Sequence, residues 1–361
     1  MRFAVIGAGV IGRTHAACIR ELDPGATLAL VADEVPGRAR ELAAAYGAEA
    51  VMSAAAAFSR DDIDAVAICT PSGQHADLAV AALDAGKHVI VEKPIDVTLR
   101  AAYRVADAAA RSTAMVTVVS QHRFDPSSQL VRQAIKEGRL GRLTSGVASV
   151  AWWRTQDYYD SGDWRGSWAL DGGGALMNQG IHTVDLLVWM LGEPVEVSAR
   201  TARLAHERIE TEDTAVAIVR FASGALGVLH ATTAAYPGLT ARIQVHGDRG
   251  SAVIDGDLLT YFHAAAVDGG PRGDSAAADP NQAADLLPSL APVAAAGSDP
   301  GAVSEAHLYQ YRDFVEAIEH GRPPAVTVDD AIRALAVVEA VYESARTGEF
   351  VPVEVPRAAV S

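Results

Sequence analysis

The sequence predicts an α/β protein in two parts. The N-terminal part is a parallel, doubly wound sheet. The C-terminal part is an α+β domain with a large open, mostly antiparallel sheet. Three observations carry this. Strand and helix patterns alternate through the first ~120 residues. A glycine turn, Gly7-Ala8-Gly9-Val10-Ile11-Gly12, joins the first strand to the first helix. Beyond Gln121-His122-Arg123 the alternation gives way to consecutive period-2 stretches with short glycine turns, such as Ser223-Gly224 and Gly247-Asp248. The expected domains are therefore 1–122 and 123–361.

In order, Arg2 to Ile6 is a strand and Val10 to Leu22 a helix. Thr27 to Ala32 is a strand, followed by a helix from Pro36 to Tyr46. Ala65 to Cys69 is a strand, and Gln74 to Ala85 is a helix closed by Gly86. Lys87 to Val91 is a short apolar strand, Thr98 to Arg111 a helix and Met115 to Ser120 a strand. In the second part Pro126 to Lys136 is a helix. Alternation marks strands over Leu143 to Trp153, Val195 to Leu204, Thr214 to Phe221, Ala225 to Thr233, Ala241 to His246 and Ser251 to Ile254. One helix, Ala175 to Leu191, interrupts them. Residues 264–303, rich in Ala, Gly, Pro, Asp and Ser, read as a loop insertion. Helices from Glu305 to His320 and from Val328 to Arg346 close the chain.

Half of the 361 residues are hydrophobic, enough for two cores. No apolar run reaches the ~18 residues that span a bilayer. The first residues form a strand rather than a leader, so no signal peptide is expected. The net charge of −15 disfavours nucleic acid and anionic membranes as partners. Cys18 and Cys69 have no CxxC or Cys/His ligand spacing, so no metal is expected. A cytoplasmic protein is the expectation.

The glycine turn has the geometry that a pyrophosphate needs. Its first glycine turns the chain and its second admits the phosphate. The third lets the helix pack against the strand. Gly7, Gly9, Val10, Ile11 and Gly12 are thus candidate dinucleotide contacts. Asp33 lies 21 residues beyond Gly12, at the end of the second strand. A carboxylate there hydrogen-bonds a ribose diol and repels a 2′-phosphate. NAD(H) is therefore favoured over NADP(H), although Arg38 and Arg40 follow in the next helix. Thr70 and Pro71 end the third strand at the same crevice edge, and His75 opens the next helix. Glu92-Lys93-Pro94 ends the strand over Lys87 to Val91, placing Lys93 where a cation can hold a hydroxyl beside the cofactor. Glu92 and Gln121 complete the candidate cofactor set.

In the second part, Gly172-Gly173-Gly174 precedes a helix bearing Asn178, His182 and Asp185. Spacings of four and three place all three on one helix face. Histidine suits proton transfer at neutral pH. The glycine turn, the Glu92-Lys93-Pro94 motif and the glycine triplet followed by Asn178 and His182 together resemble the glucose–fructose oxidoreductase / inositol dehydrogenase / MocA family. The similarity runs over essentially the whole chain. The resemblance implies an N-terminal Rossmann domain and a C-terminal domain whose open sheet forms a homodimer or homotetramer. It also implies transfer of hydride between nicotinamide and a hydroxyl or carbonyl carbon of a sugar, an inositol or a sugar derivative. By the same resemblance Lys93 is the family lysine and His182 the catalytic histidine. Asn178 stands where many polyol dehydrogenases of the family carry aspartate, and Asp185 lies one turn on.

Four of the five tryptophans fall between 152 and 168, in a segment also rich in Tyr and Arg. Aromatic rings stack on sugar C–H faces, so Arg154, Tyr159, Trp164 and Arg165 are candidate substrate contacts, with Lys93, Asn178 and His182. Two other activities fit the same motifs. One is an NAD-dependent glycosidase that oxidises its substrate transiently. The other is a non-catalytic NAD- or sugar-binding regulator.

Overall fold

Short apolar runs build the first sheet. The computed structural model describes residues 1–22, 25–265, 280–287 and 305–354. The N-terminal unit begins β1 (Arg2–Ile6), α1 (Val10–Glu21), β2 (Thr27–Ala32), α2 (Pro36–Tyr46), β3 (Glu49–Val51) and α3 (Ala54–Phe58). It continues β4 (Ala65–Ile68), α4 (His75–Asp84), β5 (His88–Val91), α5 (Leu99–Arg111) and β6 (Val116–Val118). Strands β1, β4 and β5 are buried almost throughout, as expected for strands covered on both faces. The order β3-β2-β1-β4-β5-β6, all parallel, reverses between β1 and β4. That switch point opens a ligand crevice at the carboxyl ends of the strands. Helix α5 starts where the Thr98 side chain accepts the Ala101 N–H.

The C-terminal unit holds α6 (Pro126–Lys136), β7 (Leu143–Ala151), α7 (Gln156–Asp160), a π-helical turn (Ala175–Gly180) and α8 (Ile181–Leu191). Six strands follow: β8 (Pro194–Ala202), β9 (Thr214–Phe221), β10 (Leu226–Thr232), β11 (Arg242–Gly247), β12 (Gly250–Asp255) and β13 (Leu258–Ala264). Along the chain then come the short α9 (Ala283–Leu286), α10 (Glu305–His320), α11 (Val328–Thr347) and β14 (Val351–Pro352), of which α10 and the start of α11 belong to the N-terminal unit. The sheet order is β13-β12-β11-β7-β10-β9-β8-β14. Every neighbour pair is antiparallel except β7 and β10, which run parallel. Helix α8 lies close on this sheet. A Cβ at Gly146 of β7 would meet Leu187 at 2.8 Å, and one at Gly227 of β10 would meet it at 3.1 Å.

Three features differ from the sequence expectation. The helix predicted over Ala175 to Leu191 is a π-helical turn followed by an α-helix. Strand β13 occupies residues just before the expected insertion, because its alternation is masked by polar Thr260 and His263. Most of 264–303 lies outside the described residues. Helix α10 groups with the N-terminal unit, which also takes up Ser167–Gly172. Its Tyr311 and Phe314 join Phe3, Val5, Ile19 and Leu42 in that unit's core. Each such buried ring or branched chain contributes about 1.5–3 kcal/mol. Among the described residues no helix is long and apolar enough to cross a membrane.

Candidate active site

In the N-terminal unit the three glycines of the turn are each required for a different reason. Gly7 has φ of +97°, and a Cβ there would meet the Cys69 carbonyl at 2.6 Å. A Cβ at Gly12 would meet the Gly7 carbonyl at 2.0 Å, so any side chain would push α1 off the strand. A Cβ at Gly9 would meet nothing within 4 Å. Its lack of a side chain is therefore not a packing demand of the protein and leaves backbone open to an approaching phosphate. Gly9 is also the N-cap of α1 and offers no side-chain acceptor to the first turn. The helix amides and their partial positive charge are thus left to an anion.

Asp33 has two tasks. Its Oδ2 accepts the Ala8 N–H at 2.7 Å, fixing the glycine turn, and its Oδ1 accepts the Val35 N–H at 2.8 Å. A carboxylate offers about four lone-pair sites, so acceptor capacity remains for a ribose diol. At the carboxyl ends of β4 and β6, Thr70 Oγ1 and Gln121 Oε1 are buried with no protein partner. Orphaned polar atoms beside an open glycine turn fit a bound dinucleotide. Two residues of the expected cofactor set are corrected. His75 is buried, its ring nitrogens 2.7 Å from the Pro94 carbonyl and 2.9 Å from that of Thr70, so it ties two strand ends together. Glu92 turns inward: its Oε2 accepts the Lys93 amide at 2.9 Å and its Oε1 meets His15 Nε2 at 2.9 Å. Lys93 itself stays half-buried, past the end of β5.

In the C-terminal unit the last two glycines of the triplet, Gly173 and Gly174, are packing devices. A Cβ at Gly174 would fall 1.6 Å from the Glu212 carbonyl oxygen, and one at Gly173 would fall 2.1 Å from the Tyr342 hydroxyl. The Glu212 carboxylate receives the Gly174 N–H at 2.9 Å, the Leu176 N–H at 2.8 Å and the Tyr342 hydroxyl at 3.1 Å. It thereby caps the π-helical turn. Burial pushes its pKa up to about 7 against these donors, which are neutral amides and a phenol.

The exposure pattern of 175–191 is selective. Asn178, His182 and Trp189 are half-buried while every other position is buried. Asp185 is among the buried ones, one turn beyond His182 on the same helix. The wider π turn still leaves Asn178 and His182 about one turn apart. Asn178 Oδ1 accepts Gln179 Nε2 at 2.8 Å, and the same amide donates to the Tyr158 hydroxyl at 3.1 Å. Arg165 donates to that hydroxyl at 2.7 Å, and its guanidinium covers the rings of Tyr158 and Trp164 at 4.3 and 4.4 Å. Arg154 reaches Gln179 Oε1 at 3.4 Å and lies over Trp152 and Tyr158. Arg154, Trp164, Arg165 and Asn178 thus belong to one network. Tyr159 packs edge-on against Tyr158, 5.2 Å between ring centroids, but is buried, and its hydroxyl meets Thr233 Oγ1 at 2.8 Å, which corrects the expectation of an open substrate contact.

Comparison with known proteins adds to this geometry. Residues 1–120 match the model of an oxidoreductase family with an NAD-binding Rossmann fold, and residues 128–253 match the GFO/IDH/MocA C-terminal domain. An inositol 2-dehydrogenase of Rhizobium meliloti (strain 1021) is 31% identical over 353 residues, covering 95% of this chain and 96% of the relative. The chain belongs to the glucose–fructose oxidoreductase / inositol dehydrogenase / MocA family. A levoglucosan dehydrogenase of Pseudarthrobacter phenanthrenivorans is 27% identical, covering 98% of each chain. The WlbA dehydrogenase of Bordetella pertussis, solved with NADH and UDP-GlcNAcA, superposes with a TM-score of 0.84 at 31% identity, covering 98% of this chain and 99% of that one. This family member is a nicotinamide-dependent oxidoreductase of CH–OH groups in sugars, cyclitols or their derivatives.

Several residues of this family member escape sequence reasoning. His15, Tyr311 and Glu212 have no local motif, because their partners are remote in the chain. Tyr158 was present in the aromatic segment, but only the fold shows that it, and not Tyr159, faces the arginines. The i, i+3 and i+4 pattern of the helix could not reveal the extra residue in the π turn.

Proposed function

We propose that this enzyme interconverts a secondary hydroxyl and a ketone on a polyhydroxylated ring, using NAD(H) in preference to NADP(H). The observation that carries the reading is the pair Asn178 and His182, the polar positions left open on an otherwise buried stretch. A bound nicotinamide supplies the hydride acceptor or donor. His182 takes the hydroxyl proton in oxidation and returns it in reduction, a role suited to an imidazole near neutral pH. The Lys93 ammonium holds the same oxygen as negative charge develops on it, worth about 3 kcal/mol if it acts like an oxyanion-hole donor. Asn178, fixed by Gln179, orients a neighbouring hydroxyl. Arg154 and Arg165, flattened on aromatic rings, bind further ring substituents. Both lone pairs of the Tyr158 oxygen receive donors, so that hydroxyl offers its proton to a ligand acceptor.

Asp33 supports NAD(H): its carboxylate repels a 2′-phosphate. The test is an absorbance screen for reduced cofactor across inositols, aldoses, uronates and glycosides, run with NAD and with NADP. NAD-dependent turnover of at least one ring polyol is expected. Cofactor binding with silence across the panel would sink the dehydrogenase reading. Asp33→Ala is expected to weaken NAD binding about tenfold more than NADP binding, the loosened glycine turn costing both cofactors alike.

We further propose that the C-terminal sheet joins copies of the chain into a dimer or tetramer. Val216 and Ile218 on β9 and Leu226 and Val228 on β10 are 40–54% exposed, and Ile218 pairs directly with Val228. Light scattering should give more than one copy, and Ile218→Lys with Val228→Glu should give monomers.

A further inference from the structure

A buried polar chain underlies Lys93 and is not part of the chemistry proposed above. His15 lies one turn inside α1, the helix that starts at the glycine turn, and is fully buried. Its Nδ1 is 2.7 Å from the Tyr311 hydroxyl on α10, and its Nε2 is 2.9 Å from Glu92 Oε1. The other Glu92 oxygen accepts the Lys93 backbone amide at 2.9 Å. One carboxylate therefore grips the cofactor helix with one oxygen and the amide of the lysine with the other.

We propose that His15 is a positioning residue: through Glu92 it locks Lys93 to the helix that receives the pyrophosphate. The proposal rests on the reading of Lys93 as the residue that holds the substrate oxygen. The link also has an electrostatic part. The groups facing His15 are Glu92 and Cys69 at strand ends, and Tyr311 and His307 on α10. Burial opposes a charge on His15, but Cys69 and Glu92 outweigh it and raise the imidazole to about 10. Cys69 is itself pushed up by burial and is a thiol at neutral pH, so the carboxylate is the partner that holds the proton. Burial likewise opposes the Glu92 charge, and His15 outweighs it, lowering the carboxyl to about 2. His307, whose ring is 5.9 Å away, is brought down to about 4 by burial and stays neutral. The Glu92 charge beside Lys93 is thus already matched by His15. Lys93 also acts on Glu92, and without His15 the carboxylate would draw on the ammonium more strongly, in competition with a substrate oxygen.

The test reads charge directly. Carbon-13 NMR of labelled histidine should show His15 protonated at pH 7 to 8. In Glu92→Gln, where the amide can keep each hydrogen bond, His15 should be neutral at the same pH. Competitive labelling of the Lys93 amine, read by mass spectrometry, should place its pKa about one unit higher in His15→Phe than in wild type. The double variant His15→Phe with Glu92→Gln should bring it back. In His15→Phe, turnover should fall about tenfold or more while NADH affinity changes less than about threefold. A role in folding alone would leave the Lys93 pKa unmoved, and that result overturns the proposal. If His15→Phe does not fold, the Glu92→Gln spectrum still decides: a histidine that remains charged there overturns it. Neither NMR nor labelling needs a substrate, so failure of the sugar screen would sink the proposed activity without touching these readouts.

Discussion

Glu92 and Glu212 are both buried and both accept backbone N–H groups, the first that of Lys93 and the second those of the π-helical turn that precedes His182. They end in opposite states. Glu92 is lowered to about 2, because an imidazolium shares its burial. Glu212 is raised to about 7, because its donors are two amides and a phenol. Depth does not fix the charge of a buried carboxylate here. A cation inside the same desolvated space does.

The largest test of this comparison asks whether the two glutamates support equivalent halves of one machine. Lys93→Ala and His182→Ala should each lower turnover about 10²–10⁴-fold while NADH still binds, as steady-state kinetics and fluorescence titration would show. A variant keeping near-normal turnover would remove its half from the comparison.

The next test removes the acceptors themselves. Glu92→Ala leaves a buried imidazole without its counter-charge and should cost about 3–5 kcal/mol in urea unfolding. Glu212→Ala leaves only neutral donors unpaired and should cost about 1–3 kcal/mol. Equal losses would mean that the cation makes no difference.

The third test uses pH. Glu212 holds its proton up to about 7 when folded but only to about 4.5 when unfolded, so its contribution to stability is full below 4.5 and is lost as pH rises through 7. Glu92 acts in the other direction: its contribution is present above 4.5 and is lost as pH falls through about 2. His15 stabilises fully below 6.5 and loses that as pH rises through about 10. Between pH 4.5 and 6.5 only Glu212 of these three changes its contribution, a large part of a total near 3 kcal/mol. Glu212→Gln should flatten the stability profile in that window, whereas Glu92→Gln, which leaves a buried neutral imidazole, should make the slope more positive, adding stability that rises with pH there. The smallest effect is expected at Tyr159→Phe, which loses one hydrogen bond to Thr233. It should cost about 1 kcal/mol with turnover unchanged, in contrast to Tyr158→Phe, which should weaken substrate binding.

The parallel sheet was legible because each strand is a short apolar run bounded by a turn, and each helix repeats its apolar residues on one face. The glycine turn was legible for the same reason that it works: Gly7 and Gly12 leave no room for any other residue. What could not be read depends on distance along the chain. His15 meets a tyrosine 296 residues away and a glutamate 77 away, and Glu212 meets Tyr342 130 residues on. No local pattern encodes such pairs. His75 and Tyr159 misled for the converse reason, since a polar tip near a site looks the same in sequence whether it faces a ligand or a carbonyl. The parallel pairing of β7 with β10 was hidden too, because alternation reveals a strand but not its direction.

The π-helical turn at Ala175–Gly180 makes the angular setting of His182 a matter of residue count. Such a turn accommodates one residue more than an α turn, so everything after it is out of phase with an unbroken helix by about 100°. Removing a single residue from the turn would let the helix run regularly, with its hydrogen bonds improved and its core face still apolar. Because the turn had absorbed that residue, the imidazole would keep its bearing about the axis, whereas forcing the full residue count into a regular α-helix would carry it about a quarter of the way around. A deletion that makes the helix more regular would thus leave the histidine facing the same way and remove only the widened turn.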